Sequence, residues 1–259
     1  MDAVLYERDG DVGVLTLNRP DNRNSMTEEI LEGVAARAQE ARDDAAIRCL
    51  VLTGRGRCFS AGADFKSQIQ RDAAGRTPHE RSYAMYAPFL SLLDVEVPIV
   101  GAINGHAVGG GFGLSLMCDL RYVREDAKYG ANFTRLGLHP GMAVSYLLPR
   151  LVGLPQASEW LYTGRLFDGH EGARAGLFNA ALQGGEVLGR AMETARAIAA
   201  NAPIAMRMTK RSLREGLGWD IRGAAHREAF AQAVSVDTED AKEGMAALLE
   251  KRDPDFKGR

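Results

Sequence analysis

Three short apolar runs limit what this chain can fold into. Cys49-Leu50-Val51-Leu52-Thr53, Pro98-Ile99-Val100-Gly101-Ala102-Ile103 and Leu120-Arg121-Tyr122-Val123 are too short for helices and suit buried strands. The first is ended by Gly54, and the first two bracket a polar stretch in which Pro78 to Leu93 shows helical apolar spacing. Earlier, Thr27 followed by Glu28 and Glu29 caps a helix start, and Ile30, Leu31, Val34, Ala35 and Ala38 recur on one helical face to about Ala41. Short buried strands alternating with helices predict an α/β fold.

The flanks differ. Val4 to Arg8 and Val12 to Leu17 surround Asp9-Gly10, a dipeptide that accepts a tight turn, so a β-hairpin is expected. Gln68 to Thr77 is charged and glycine-containing and is expected to be mobile. From Pro140 onward the pattern is helical over Met142 to Leu151, Ala157 to Thr163, Glu186 to Ala200, Ile204 to Glu215, Ile221 to Val234 and Thr238 to Lys251. A strand-strand-helix repeat in the first half is too degenerate to be claimed from pattern alone.

Composition removes several functions. The 259 residues, 46% hydrophobic and 25% charged, can bury one full core, and 32 basic against 34 acidic residues leave no positive field for nucleic acid. No window approaches the roughly 20 apolar residues of a membrane span, and no leader pattern opens the sequence, so a cytoplasmic protein is expected. Cys49, Cys58 and Cys118 lie in or beside apolar stretches, which predicts neither disulfides nor a cysteine metal site. His79, His106, His139, His170 and His226 form no local metal pair, so no metal is expected.

The glycine cluster Asn104 to Gly113 follows a strand and opens a helix, yet no dinucleotide or P-loop register fits it. Ser115 lacks the second glycine of a nucleophile elbow. Two glycine-rich turns remain, Phe59-Ser60-Ala61-Gly62-Ala63-Asp64 and Gly109-Gly110-Gly111, each entering a predicted helix. Such turns can be packing devices. They can also present two unpaired amides to one oxygen, forming an oxyanion hole.

The ordered motifs Leu17-Asn18-Arg19-Pro20, Cys58 to Asp64, Ala102-Ile103-Asn104-Gly105, Gly109-Gly110-Gly111, Met117-Cys118-Asp119, Leu136-Gly137-Leu138-His139-Pro140-Gly141 and Lys242-Glu243-Gly244-Met245 resemble the enoyl-CoA hydratase/isomerase (crotonase) superfamily over nearly the whole chain. The resemblance implies a crotonase-like ββα spiral core over residues 1–200 and a helical oligomerisation region over 201–259, assembled as a homotrimer or a dimer of trimers. Phe230, Met245, Leu248 and Leu249 are the apolar residues expected to exceed what one subunit can bury. By the same resemblance no permanently bound cofactor is expected, and coenzyme A would enter as part of an acyl-CoA thioester substrate. The backbone amides of Ala63 and Gly110 would form the oxyanion hole, Asp64, Phe65 and Lys66 would line the groove with Ala63, and Phe256 and Lys257 would reach the groove near a neighbouring subunit.

The chain departs from that pattern where acid–base chemistry is done. The two glutamate positions of the family's hydratases are Gly113 and Phe133, and the position of a catalytic aspartate in some relatives is Gly141. None can exchange a proton. Gly113 and Phe133 are then read as acyl-pocket residues, with Phe112 beside them. His139 is the first candidate for a substitute acid or base, Tyr86 the second, with Tyr83 behind it and Glu80 a solvated helix charge. Three readings stay open: an acyl-CoA enzyme whose acid or base comes from another wall, a non-catalytic acyl-CoA binder, and a hydrolase of a CoA thioester or carbon–carbon bond.

Overall fold

The computed structural model describes residues 2–64, 77–218 and 220–257. Phe65, Lys66 and all of the Gln68–Thr77 stretch but its last residue lie outside them.

β1 (Val4–Asp9) and β2 (Val12–Leu17) form the expected hairpin. Asp9 pairs with Val12, so the turn is Gly10-Asp11, one residue later than the dipeptide chosen from sequence, and Gly10 takes φ 60. α1 (Glu28–Asp43) starts where expected, with the Thr27 hydroxyl accepting the Ile30 amide.

The next three turns of chain repeat one plan. β3 (Cys49–Gly54) is followed by β4 (Cys58–Ser60); α2 (Pro78–Leu90) leads to β5 (Ile99–Ile103) and β6 (His106–Val108); α3 (Gly110–Leu116) leads to β7 (Leu120–Arg124) and β8 (Tyr129–Gly130). In each pair the first strand joins a six-stranded sheet, ordered β1-β2-β3-β5-β7-β9, and the second joins a three-stranded sheet, β4-β6-β8. β9 (Ala180–Leu182) completes the large sheet. The chain is therefore a spiral of strand-strand-helix turns, and among the described residues all strand pairs except β1·β2 are parallel.

Both faces of the large sheet are covered, which is why its strands read as unbroken apolar runs. Cys49, Val51, Val100, Ala102 and Tyr122 pack under Val187, Ala191, Ala195 and Ala199 of α7 (Val187–Ala199), while Leu50, Leu52, Ile99 and Ile103 enter the main core. α4 (Val144–Val152), α5 (Leu154–Thr163) and α6 (Gly169–Arg174) follow the small sheet, and α8 (Pro203–Gly216), α9 (Ile221–Val236) and α10 (Glu239–Glu250) close the chain. Buried Lys210 fastens α8, its ammonium donating to the Val95 and Val97 carbonyls at 3.0 and 2.6 Å and lying 3.0 Å from Asp119 Oδ2. α9 lies along α2, with His79 stacked on Phe230 and Tyr83 on His226. Among the described residues no helix is long and apolar enough to cross a membrane.

Candidate active site

The two glycine-rich turns meet because their strands are neighbours: β4 pairs with β6, Ser60 opposite Ala107. Gly62 and Gly109 take φ 84 and 56, conformations that side chains resist. A β-carbon on Gly62 would lie 2.5 Å from the Val108 carbonyl oxygen and 3.2 Å from the Gly110 nitrogen. Any side chain there would wedge the turns apart.

Gly110 is the first residue of α3, so its amide has no partner within the helix. Ala63 forms a parallel bridge with Met26, whose amide donates to the Gly62 carbonyl at 2.9 Å. A β-carbon on Gly110 would sit 2.5 Å from the Met26 sulfur. Met26 thus touches both turns, and Ala63 and Gly110 line one cavity of about 810 Å³.

Apolar side chains form most of the far wall: Met85, Phe133, Leu136, Leu138 and Met142, with Met245, Leu248 and Leu249 from α10. The last three, expected to leave apolar surface for a neighbouring subunit, border the cavity, with Leu248 and Leu249 exposed in the single chain. Exposed Arg23, His106, Lys128 and Lys242 border it with Asp64, which accepts from Asn22 Nδ2 at 3.3 Å. Cys58 also faces it, but burial pushes its thiol up to about 11, so no thiolate nucleophile is available near neutral pH.

Tyr86 lines the cavity and is buried. Its phenol donates to Gln232 Oε1, and Gln232 Nε2 donates to the His139 carbonyl at 3.1 Å. Burial, reinforced by Glu228, raises the phenol's pKa, so it keeps its proton. A β-carbon on Gly141 would fall 2.3 Å from Tyr86 Oη. The phenol occupies the space where the resemblance places an aspartate in some relatives.

The other sequence-chosen residues divide. Phe133 borders the cavity. Gly113 is buried in α3 outside the lining, and a β-carbon there would come 2.5 Å from Met142 Cβ, so Met142 fills the room a carboxylate would need. Phe112 is fully buried, edge-on to Phe167 in the core. His139 is half-buried and does not line the cavity; its Nδ1 lies 2.6 Å from the Pro140 carbonyl oxygen and its amide donates to Ser235 Oγ at 3.0 Å. Glu80 serves the α2 capping box with Thr77. Phe256 and Lys257 lie past α10, outside the lining in this single chain, with the Lys257 amide on Asp240 Oδ1 and its ammonium on Asp255, each at 2.6 Å.

Sequence reasoning missed Met142, Gln232 and Glu228. Met142 and Ala143 take φ 65 and 56, at a cost of roughly 1–2 kcal/mol each for L-residues. Glu228 is buried on α9, its Oε1 accepting the Ser145 amide at 2.8 Å and the Ser145 hydroxyl, and burial pushes it up to about 7. The available signal was Glu228, Gln232 and Ser235 spaced along one face of an alanine-rich helix.

Comparison with known proteins agrees with this architecture. The family model for enoyl-CoA hydratase/isomerase matches residues 7–259. A crotonyl-CoA hydratase of Syntrophomonas wolfei is 34% identical over 254 residues, 98% of this chain and 97% of that protein. Among solved structures, an enoyl-CoA hydratase/isomerase from Pseudoalteromonas atlantica superposes with TM-score 0.88 at 29% identity, covering 98% of this chain and 100% of that one. A carnitinyl-CoA hydratase from Mycobacterium avium gives 0.87 at 31% identity, with 100% of both chains covered. The alternating two-sheet spiral, the paired glycine turns and the full-length match together place this chain, a crotonase-fold enzyme, in the enoyl-CoA hydratase/isomerase family.

Proposed function

We propose that the protein processes an acyl-CoA thioester, with the thioester oxygen held between the amides of Ala63 and Gly110, by a route other than two-glutamate hydration. The carrying observation is that Ala63 and Gly110 border one cavity, while the family's two hydratase carboxylate positions are here Phe133 on its wall and Gly113, covered by Met142. Two fixed dipoles at the oxygen stabilise an enolate, whose charge develops there after a proton leaves the α-carbon or a nucleophile adds at the β-carbon. Exposed Arg23, Lys128 and Lys242 suit the phosphates of coenzyme A, and the thioether and phenyl groups of Met85, Met142 and Phe133 suit an apolar acyl chain.

Tyr86 rather than His139 is the acid in this reading, because the phenol borders the cavity and the imidazole does not. Protonated at rest, the phenol can give its proton to the enolate α-carbon, the O–H bond breaking as the C–H bond forms, and the phenolate then regains a proton from solvent. The relatives carry names with different acyl groups, crotonyl and carnitinyl, so the family leaves the acyl group open. Calorimetric titration with butanoyl-, dodecanoyl- and benzoyl-CoA should give saturable binding with at least one. No binding to any of them would contradict the proposal.

The C-terminal region is proposed to assemble a homotrimer or a dimer of trimers, because α8 exposes Ile204 at 77%, Met208 at 54% and Leu213 at 63%. Sedimentation showing only the 28.0 kDa species would refute it. Three free buried cysteines fit a reducing, cytoplasmic setting.

A further inference from the structure

The wall of the cavity running from Leu138 to Val144 has a backbone that its own sequence does not favour. Met142 and Ala143 are consecutive left-handed residues without being glycine, and Ala143, the residue that precedes α4, has no side-chain acceptor to offer the helix's first amides. Something outside the segment must hold it.

That support comes from one face of α9. Ser235 Oγ accepts the His139 amide at 3.0 Å, and Gln232 Nε2 donates to the His139 carbonyl at 3.1 Å. Glu228 Oε1 accepts the Ser145 amide at 2.8 Å and the Ser145 hydroxyl, supplying from another helix, at the start of α4, the carboxylate that a capping residue normally provides. Its Oε2 has no partner among the described residues, so the hydrogen bonds that anchor the carboxylate go to Ser145, directly after this wall. The three residues are spaced i, i+4, i+7 and meet the wall at both ends, with Leu138 and Met142 between them bordering the cavity.

We propose that Glu228, Gln232 and Ser235 are positioning residues that set the depth of the acyl pocket, by holding Met142 against Gly113 and so limiting the acyl chain lengths the cavity admits. This rests on the acyl-CoA reading above. Release of the wall lets Met142 withdraw and lengthens the pocket, while the coenzyme A end, built on the β4 and β6 turns, is untouched.

The test is to titrate wild type, Ser235→Ala, Glu228→Ala and Glu228→Gln with free coenzyme A, butanoyl-CoA and dodecanoyl-CoA, and to follow hydrogen exchange of the peptide spanning Leu138 to Ser145 in ligand-free protein. In both alanine variants the ratio of dodecanoyl to butanoyl affinity should rise about fivefold, the equivalent of one lost hydrogen bond, with free coenzyme A affinity within about twofold of native. Glu228→Gln, which keeps a carbonyl acceptor, should retain most of the native ratio. The peptide should exchange faster in the alanine variants. If Glu228→Ala does not fold, Ser235→Ala decides alone. A ratio unchanged, or acyl and coenzyme A affinities falling together, overturns the proposal, as does unchanged exchange. Wild type that binds no thioester removes the acyl-CoA reading and the selectivity claim with it, whereas wild type that binds while the ratio stays fixed removes only the role of α9.

Discussion

The cavity has two walls made of different material. On one side the turns after β4 and β6 present backbone amides, fixed by strand pairing and by glycines that admit no side chain. On the other, from Phe133 to Met142 and along α9, the surface is side chain, with Phe133 at one expected glutamate position and Met142 covering the other, Gly113 of α3. An amide donor does not depend on which residue carries it, so the first wall keeps its chemistry while its sequence varies. A carboxylate exists only where Glu or Asp stands. The second wall is therefore where the reaction of a family member is decided.

The largest effect should appear in hydration itself. Lacking both carboxylates, each worth a factor of about 10² to 10⁴, the native protein should hydrate crotonyl-CoA at least about 10⁴-fold more slowly than a two-glutamate relative, read as loss of enoyl thioester absorbance. Gly113→Glu with Phe133→Glu should restore little, because the new side chain at 113 meets Met142 Cβ at 2.5 Å from its first carbon. Adding Met142→Gly, which removes that β-carbon and suits the φ of 65 at this position, should release the gain. Native hydration at a relative's rate would erase the contrast between the walls.

The amide wall predicts a smaller but cleaner loss. Gly110→Pro removes one donor at the first helical position, where proline is tolerated, and should lower turnover of the true substrate roughly a hundredfold relative to Gly110→Ala. Both variants carry a β-carbon toward Met26, so their difference isolates the N–H. Equal rates would mean that the amide takes no part.

The side-chain wall should also make stability depend on pH. Glu228 is raised from 4.5 to about 7 in the fold, so the folded chain holds a proton that the unfolded chain has released within that window. Its contribution is fully present below the lower value and is lost as pH rises through the upper one, by roughly 3 kcal/mol. Tyr86, the titratable neighbour on α2, stays protonated throughout because its own pKa is raised. Urea denaturation at about pH 5 and about pH 8 should show the fall, and Glu228→Gln should flatten it.

Much of the fold was legible. The runs around Leu50, Val100 and Tyr122 are strands because a sheet covered on both faces leaves no polar side to alternate with. The small sheet was not legible: its strands, two or three residues long, carry no periodicity and are defined by pairing across 48 residues of chain between β4 and β6 and about 22 between β6 and β8. The turns at Gly62 and Gly109 were visible as glycine clusters; their convergence was not, because it depends on that pairing. His139 looked suited to chemistry by its loop, yet only the backbone of that loop's neighbours shows that Pro140 and Ser235 engage it away from the cavity. Glu228 was hidden by an ordinary helical pattern, since burial of a single carboxylate follows from what packs over it.

In the proposed function, the amides of Ala63 and Gly110 hold a thioester oxygen. Isotope-edited infrared difference spectra of a bound acyl-CoA labelled with carbon-13 at the thioester carbonyl test it directly, because hydrogen bonds to that oxygen weaken the carbonyl bond and lower its stretching frequency. A clear downshift is expected on binding to wild type and Gly110→Ala, and a much smaller one on binding to Gly110→Pro. A bound thioester whose carbonyl frequency matches that in water, or one whose downshift survives Gly110→Pro unchanged, would contradict it.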